Sequence, residues 1–371
     1  MNQDLMKVRL LALSFYYPPV NNPRAVQVDR LLRHACLSTS LLCADYNQTN
    51  ERVDHLRISP AAEFLENCVR VPYLETWWQR TSSRLAHRFH PLLMDKQPDR
   101  FMNWKPAVLK AVESLLSKGD PPDVLVTFGS PMSDHIIGLE LKKRFGWPWL
   151  AHFSDPWVDN VFKDFTWLTR SINLSLERQV MESADRLIFT SLETIDLIMS
   201  KYPRSLRSKA RVLPHAFESG SFQSQAFEFD SRIVIRYIGD MYGRRTPEPL
   251  FNALKSILVS EPQLLDDVFF EFVGSMHDLK VDQMGIADLR RGLVGFQPTV
   301  GYAESLDLMT SAQGLLVIDA PAEQSVFLPS KLIDYIGAGR PILGITPPGT
   351  ATRLIAELGG WVCDPAYAEE T

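Results

Sequence analysis

Short apolar runs alternate with segments of helical length along almost the whole chain, and this alternation restricts the fold more than any other feature. In the first half the runs are VRLLALSF (8–15), DVLVTFG (123–129), WPWLAHF (147–153), DRLIFTS (185–191) and ARVLPH (210–215). Between them lie segments of helical length such as AVQVDRLLRHA (25–35) and SDHIIGLELKKRF (133–145). Strands that alternate with helices pair in parallel, because each helix carries the chain back across one face of the sheet. The segment ESGSFQSQAFEFDSR (218–232) interrupts the pattern; it is polar, serine-rich and aperiodic, which is linker composition. The alternation then restarts with IVIRYIG (233–239), PLFNALKSIL (249–258), VFFEFVG (268–274), LVGFQ (293–297), YAESLDLMTSA (302–312) and GLLVIDA (314–320). The expected organisation is α/β, with two doubly wound Rossmann-like domains at 1–217 and 233–371 joined by a hinge at 218–232.

A length of 371 residues also favours two domains over one. The contents of 45% hydrophobic and 22% charged residues are those of a soluble globular protein. A net charge of −5 gives no general attraction to nucleic acid, so any anion site must be local. Cys36, Cys43, Cys68 and Cys363 lie far apart in sequence and form no CxxC pair. That spacing argues against a zinc site and a disulfide scaffold and suits a reducing compartment. MKVRLLALSFYYPP has the basic start and apolar run of a signal peptide. The run is short, ends in aromatics and prolines, and lacks a small-residue cleavage site, so it reads as a first buried strand. No apolar stretch reaches the ~20 residues that span a bilayer. At the other end Asp364-Pro365 has the form of a helix start, so a closing helix of the second domain is expected to be missing or absent.

VFLPSKLIDYIGAGRPILGI (326–345) carries the clearest chemistry. Pro329 and Ser330 form a helix-start signature, with proline suited to the first turn. Gly337 and Gly339 are expected to end that helix, and Pro341 forbids its return before the strand PILGI. The unit is βαβ, and its loop lies at the carboxyl edge of the sheet, where open α/β folds bind ligands. Lys331 falls in the first turn, where free N–H groups and the dipole already favour an anion; a cation there makes sense together with one. Asp334 and Tyr335 follow one turn on, on nearly the same face. A carboxylate in that place can accept hydrogen bonds from two neighbouring hydroxyls, as on a ribose. Lys331 on phosphate and Asp334 on sugar would fit a nucleotide. An exposed Lys–Asp pair worth roughly a few tenths of a kcal/mol accounts for the same two residues.

Other segments favour the nucleotide. FYYPPVNNPRA (15–25), PDVLVTFGSPMSDHIIGLELKKRFGWPWLAHFSDPW (122–157), LERQVMESADRLIFTS (176–191), VLPHAFE (212–218), YIGDMYGRRTPEPLFNAL (237–254), VGFQPTVGYAESLDLMTSA (294–312) and PSKLIDYIGAGRPIL (329–343) occur in that order. Taken together they resemble glycosyltransferase family 4, and most of all its subgroup acting on bacterial surface polysaccharides. The resemblance covers nearly the whole chain. It implies the GT-B fold, two Rossmann-like domains facing across a cleft, and retaining transfer of a sugar from a nucleotide-diphosphate donor to a glycan or lipid-linked acceptor. It further implies a cytoplasmic enzyme with no essential metal and no cofactor other than the nucleotide sugar as co-substrate.

The resemblance also assigns residues. The carboxylate that holds the donor ribose falls on Asp334, and its acidic partner earlier in the motif falls on Val326, which cannot serve; Glu323 in the same loop is a substitute. The basic residue that binds the diphosphate falls on Arg245, with Arg244 beside it, in a glycine-containing turn after Gly239. A second family arginine falls on Asp240, which leaves Arg244, Arg245 and Lys331 as the phosphate clamp. In the first domain the family's glycine-rich turn reads Asn21-Asn22, where asparagine tolerates positive φ, and Arg24 follows at the helix start, facing an anion. An ordinary polar turn is the other reading of that stretch.

HFSDPW (152–157) ends a strand, and many relatives have a histidine at the place of Ser154. Asp155 is the first candidate for a polar group at the reacting centre, and it could equally cap the following turn. His152 is second, since a strand-end histidine is more often structural. The segment YLETWWQRTSSRLAHRFHPLLM (73–94) interleaves Trp77, Trp78, Leu85 and Phe89 with Arg80, Arg84, His87 and Arg88. That mixture suits peripheral membrane contact, a lipid-linked acceptor, or a mobile cover over the acceptor site. Two other activities fit the same sequence: a non-catalytic GT-B nucleotide- or glycan-binding protein, and a sugar-nucleotide epimerase on the same fold.

Overall fold

The computed structural model describes residues 8–48, 53, 65–73, 97–222, 232–241, 243–276, 289 and 292–365. The chain divides into two compact units, Met1–Pro214 and His215–Thr371. The first unit runs β1 (Arg9–Leu13), α1 (Pro23–Arg33), β2 (Ser38–Ala44), β3 (Leu65–Val71), α2 (Lys105–Leu116), β4 (Val124–Phe128), α3 (Ser133–Phe145), β5 (Trp149–Phe153), α4 (Trp167–Ser183), β6 (Arg186–Phe189), α5 (Leu192–Met199), α6 (Arg204–Arg207) and β7 (Ala210–Val212). Its strands form one parallel sheet in the order β3-β2-β1-β4-β5-β6-β7. Such a sheet is covered on both faces, so its strands read as continuous apolar runs and not as alternating ones. Trp104, Trp149 and Phe153 are fully buried against one face; Ala12, Val28 and Leu41 are buried against the other. Helix α3 ends as its sequence dictates, with Lys142, Lys143 and Arg144 in the last turn and Gly146 in the left-handed conformation at φ 73°.

The second unit runs β8 (Ile233–Ile238), α7 (Glu248–Ser260), β9 (Val268–Val273), β10 (Val294–Gln297), α8 (Tyr302–Thr310), β11 (Gly314–Ile318), α9 (Ser330–Ala338), β12 (Ile342–Ile345), α10 (Thr350–Glu357) and β13 (Trp361–Cys363). Its parallel order is β10-β9-β8-β11-β12-β13. In both units the order reverses beside the first strand, between β1 and β4 and between β8 and β11. That reversal opens a crevice at the carboxyl ends of the strands.

Two expectations need correction. The break in the pattern at 218–232 does not begin as free linker. Phe217 and Phe222 pack edge to face at 5.9 Å and both lie against Gly337, so the second unit has already begun there. Residues 223–231 are outside those described. Gly337 does not end α9 but lies within it, where the absent side chain makes room for Phe222; Gly339, at φ 65°, is the terminator. Cys43 and Cys68, far apart in sequence, meet across β2 and β3. Of the aromatic and basic segment 73–94, only Tyr73 belongs to the described residues.

The carboxyl ends of β8 and β9 approach through two glycines. Gly239 has φ 123° and Gly274 φ 138°, and a Cβ on Gly274 would lie 2.5 Å from the Gly239 carbonyl oxygen. Neither the conformation nor the space admits a side chain. Gly274→Ala is expected to destabilise the second unit by about 2 kcal/mol or more, through strain at a φ closed to L-residues. Thermal unfolding followed by circular dichroism measures it, with Gly301→Ala as the control in open space.

Candidate functional site

In the second unit the groups converge on the reversal between β8 and β11. Lys331 is the second residue of α9, whose cap residue Pro329 has no side chain able to bond the helix end. The lysine side chain folds inward, and its Nζ lies 3.6 Å from the centroid of the Tyr237 ring. A Cβ at Gly239 would stand 3.1 Å from that nitrogen, so the glycine opens the path the lysine occupies. The nitrogen is buried and has no hydrogen-bond partner. Arg245 is buried nearby; its Nε donates to Asp319 Oδ1 at 3.3 Å. Asp319 itself is held by the Ala320 N–H at 2.9 Å and the Ser325 hydroxyl at 2.6 Å. Burial, and next the Arg245 charge, push the Lys331 amine well below the usual lysine range; Asp240 and Asp319 oppose the shift. A buried guanidinium and a buried amine thus lie beside one buried carboxylate.

Asp334 and Tyr335, adjacent on α9, turn to different neighbours. The Tyr335 hydroxyl accepts the Ile238 N–H at 2.8 Å and pins the helix to the end of β8. Asp334 is buried toward α8 and accepts from the Tyr302 hydroxyl at 3.3 Å. Arg244 is exposed and donates to the Pro321 carbonyl at 3.2 Å, while Glu323 is exposed in the loop after β11. Val326 is buried, its carbonyl accepting from the Thr350 hydroxyl at 3.1 Å. Asp240 braces two neighbouring loops: its Oδ1 accepts the Ser275 N–H at 2.8 Å and the Thr299 hydroxyl at 3.1 Å. The carboxylate at this position therefore has a structural use.

The first unit gathers a second cluster at the ends of β1 and β5. Asn22 does not adopt positive φ; it is extended at φ −135° and caps α1 by accepting the Arg24 N–H at 2.8 Å. Asn21 likewise does not adopt positive φ. Arg24 does not face an open anion site but is buried, and its Nη2 donates to His152 Nδ1 at 3.0 Å and to the His152 carbonyl at 3.1 Å. Arginine has no acceptor, so Nδ1 accepts and the imidazole proton resides on Nε2. Burial lowers the Arg24 pKa to about 10 against the opposing charges of Asp155 and Asp134. Asp155 is half-buried and accepts from the Ser154 hydroxyl at 2.9 Å. Arg24, His152 and Asp155 are thus brought together, with Asn22 behind them.

Sequence reasoning missed Asp319, Asp134 and His135. Asp134 is fully buried, accepts the Phe15 N–H at 2.8 Å, and is pushed well above the carboxylate range by burial. His135 Nδ1 shares a hydrogen bond with the Thr127 hydroxyl, 2.7 Å away, and that hydroxyl also accepts the Trp149 indole N–H at 2.9 Å. Burial lowers the imidazole to about 3, so it is neutral. Asp319 had a readable signal, a carboxylate at the carboxyl end of an all-apolar strand; Asp134 and His135 read as ordinary first-turn helix residues. Among the described residues no group of three or more His, Cys, Asp or Glu could hold a metal ion, and no helix is long and apolar enough to cross a membrane.

Two parallel α/β units, each with the same strand reversal, define a protein of the GT-B class. The chain belongs to the glycosyl transferase 4-like family, whose domain model matches residues 25–214, more than half of its length. Among solved structures it is similar to HepE of Anabaena in complex with UDP and glucose, at 11% identity and TM-score 0.61, over 98% of this chain and 87% of that one. It is similar to WaaG, a glycosyltransferase involved in lipopolysaccharide biosynthesis, at 16% identity and TM-score 0.59, over 97% of this chain and 88% of that one. A putative UDP-N-acetylglucosamine 2-epimerase from Listeria monocytogenes matches at 9% identity and TM-score 0.55, over 98% and 86%. No curated protein matches the chain in sequence.

Proposed function

We propose that this glycosyltransferase moves a sugar, with retention of configuration and without a metal, from a nucleoside-diphosphate donor to a glycan or lipid-linked acceptor in surface polysaccharide synthesis, at the cytoplasmic side of a membrane. The observation that carries the reading is Lys331 Nζ, buried beside Arg245 with no hydrogen-bond partner. A buried amine in that setting is costly unless an anion completes it. A diphosphate supplies the charge, and Arg245 offers it a planar donor held by Asp319. The complexes of HepE with UDP and with UDP-glucose support a uridine donor for that protein and make it the first to test here. Asp334 is the group for the ribose, and Arg244 and Glu323 line the exposed rim.

In the reaction charge builds on the departing diphosphate, and Arg245, Lys331 and the N-terminal turn of α9 meet it with donors fixed in advance. The leaving phosphate takes the acceptor's proton on the same face, so no second carboxylate is required. Asp155, with His152 held by Arg24, is the polar group at the acceptor side. Asp155→Asn keeps the Ser154 hydrogen bond and removes the charge; turnover is expected to fall about 100-fold with donor affinity unchanged, if the charge stabilises an oxocarbenium-like transition state. A donor-hydrolysis and transfer screen over UDP-, GDP-, ADP- and dTDP-sugars tests the whole reading. The buried Val326 and the engaged Asp240 favour one alternative, a binding protein without turnover. Nucleotide binding with neither hydrolysis nor transfer in that screen would establish it. Interconversion of free UDP-sugar without acceptor would establish an epimerase.

A further inference from the structure

Strands β2 and β3 pair in parallel with Leu41 opposite Cys68 and Cys43 opposite Arg70. Cys43 and Cys68 are therefore diagonal neighbours on one face of the sheet. Their sulfurs are 4.0 Å apart. Cys43 is fully buried, and its thiol is 3.9 Å from the Val69 carbonyl oxygen. Cys68 is exposed on β3, the edge strand. Arg70, next along the same face, sets its guanidinium 5.6 Å from the centroid of the Tyr17 ring and 5.4 Å from that of Tyr46, and donates to the Pro18 carbonyl.

We propose that Cys43 and Cys68 are an oxidisable dithiol that a disulfide oxidant closes to an intrachain disulfide between β2 and β3. The reactive partner is Cys68. The hydrogen bond from the Cys43 thiol, and with it the charge of Arg70, lower the Cys68 pKa, whereas burial pushes Cys43 up. Thiolate and access coincide at Cys68, which is the condition for attack. With glutathione disulfide as oxidant, the Cys68 thiolate attacks one sulfur and expels one glutathione thiolate. The Cys43 sulfur then attacks Cys68 in the mixed disulfide, and the second glutathione leaves with the Cys43 proton. Two protein thiols lose two electrons, and one glutathione disulfide becomes two glutathiones. Closure moves the sulfurs from 4.0 Å to the bonded distance of about 2.05 Å, and because diagonal positions lie about 7–8 Å apart, beyond the usual disulfide span, the edge strand β3 must shift toward β2 as the bond forms. The bond would fasten β3 where Arg70 braces Tyr17 and Pro18, in the connection that leads to Asn22 and Arg24.

The test is independent of the glycosyl reaction. The full chain is incubated with glutathione disulfide, its remaining thiols are alkylated, and peptides are mapped before and after reduction. The expected result is a 43–68 linked peptide in the wild type, reversed by dithiothreitol, with Cys36 and Cys363 outside it. Cys43→Ser is expected instead to retain a glutathione adduct on Cys68, and Cys68→Ser to leave Cys43 unmodified while the protein stays folded. A wild type that yields only the Cys68 adduct, as Cys43→Ser does, or that keeps both thiols reduced, overturns the proposal.

Discussion

Arg245→Met is expected to weaken UDP binding at least about 100-fold and to lower the stability of the second unit at the same time. The guanidinium is buried and bonded to Asp319 at 3.3 Å, and Asp319 is almost wholly buried. Removing one partner of a buried, hydrogen-bonded charge pair costs about 2–5 kcal/mol, much of it the penalty of stranding the other charge. The ligand loses a charge-assisted donor in the same step, and about 2.7 kcal/mol corresponds to 100-fold. Titration calorimetry with UDP reads the affinity and urea unfolding the stability. Arg245→Met with Asp319→Asn separates the two effects. The double variant leaves no buried unpaired anion, so stability is expected to recover while binding is not. Recovery of binding in the double variant would show that Arg245 acts only on the fold.

Much of this arrangement was legible in the chain, and the limits were physical. Strand β11 is buried throughout and β9 over its last four residues, so their apolar runs stood out in GLLVI and VFFEFV; β8, IVIRYI, is buried only at its carboxyl end, yet its run is equally apolar. Strand β3, LENCVRV, is an edge strand with three exposed residues in sequence, and it carries no such run. The same exposure hid the approach of Cys68 to Cys43, because proximity across neighbouring strands is a matter of register and not of spacing. Lys331 was anomalous in sequence because a cation opposes the helix dipole; its Tyr237 ring and its neighbour Arg245 come from other parts of the chain. Arg24 was read as a ligand group from its place at a helix start. What decides its role is His152, 128 residues away in sequence, whose ring nitrogen and carbonyl both accept from it. Asp240 shows the same limit from the other side: a residue of the wrong charge for phosphate turned out to hold the Ser275 and Thr299 loops.

Lys331→Met is expected to stabilise the unliganded protein and to abolish the stabilisation that UDP confers. The amine is depressed below its ordinary range by burial and by Arg245, so the folded state binds fewer protons there than the unfolded chain does. Wild-type stability therefore rises with pH between the depressed folded value and the ordinary value of 10.5, and below that window the penalty for the buried amine is present in full. The Tyr237 ring offsets part of it, by about 0.5–2 kcal/mol while the amine is charged. Methionine fills the same channel past Gly239 without a charge, so the apo midpoint at neutral pH should rise by about 2–4 °C for each kcal/mol recovered. With UDP the sign inverts. The diphosphate favours the charged amine, so binding draws a proton onto Lys331 at any pH above its free value and below its bound value. Calorimetry in buffers of different ionisation enthalpy should find that uptake in the wild type and none in Lys331→Arg, whose guanidinium is charged in both states. Uptake that persists in Lys331→Arg, or a methionine variant that is less stable without ligand, would mean that the amine is already satisfied inside the unliganded unit, and that the diphosphate is held by other groups.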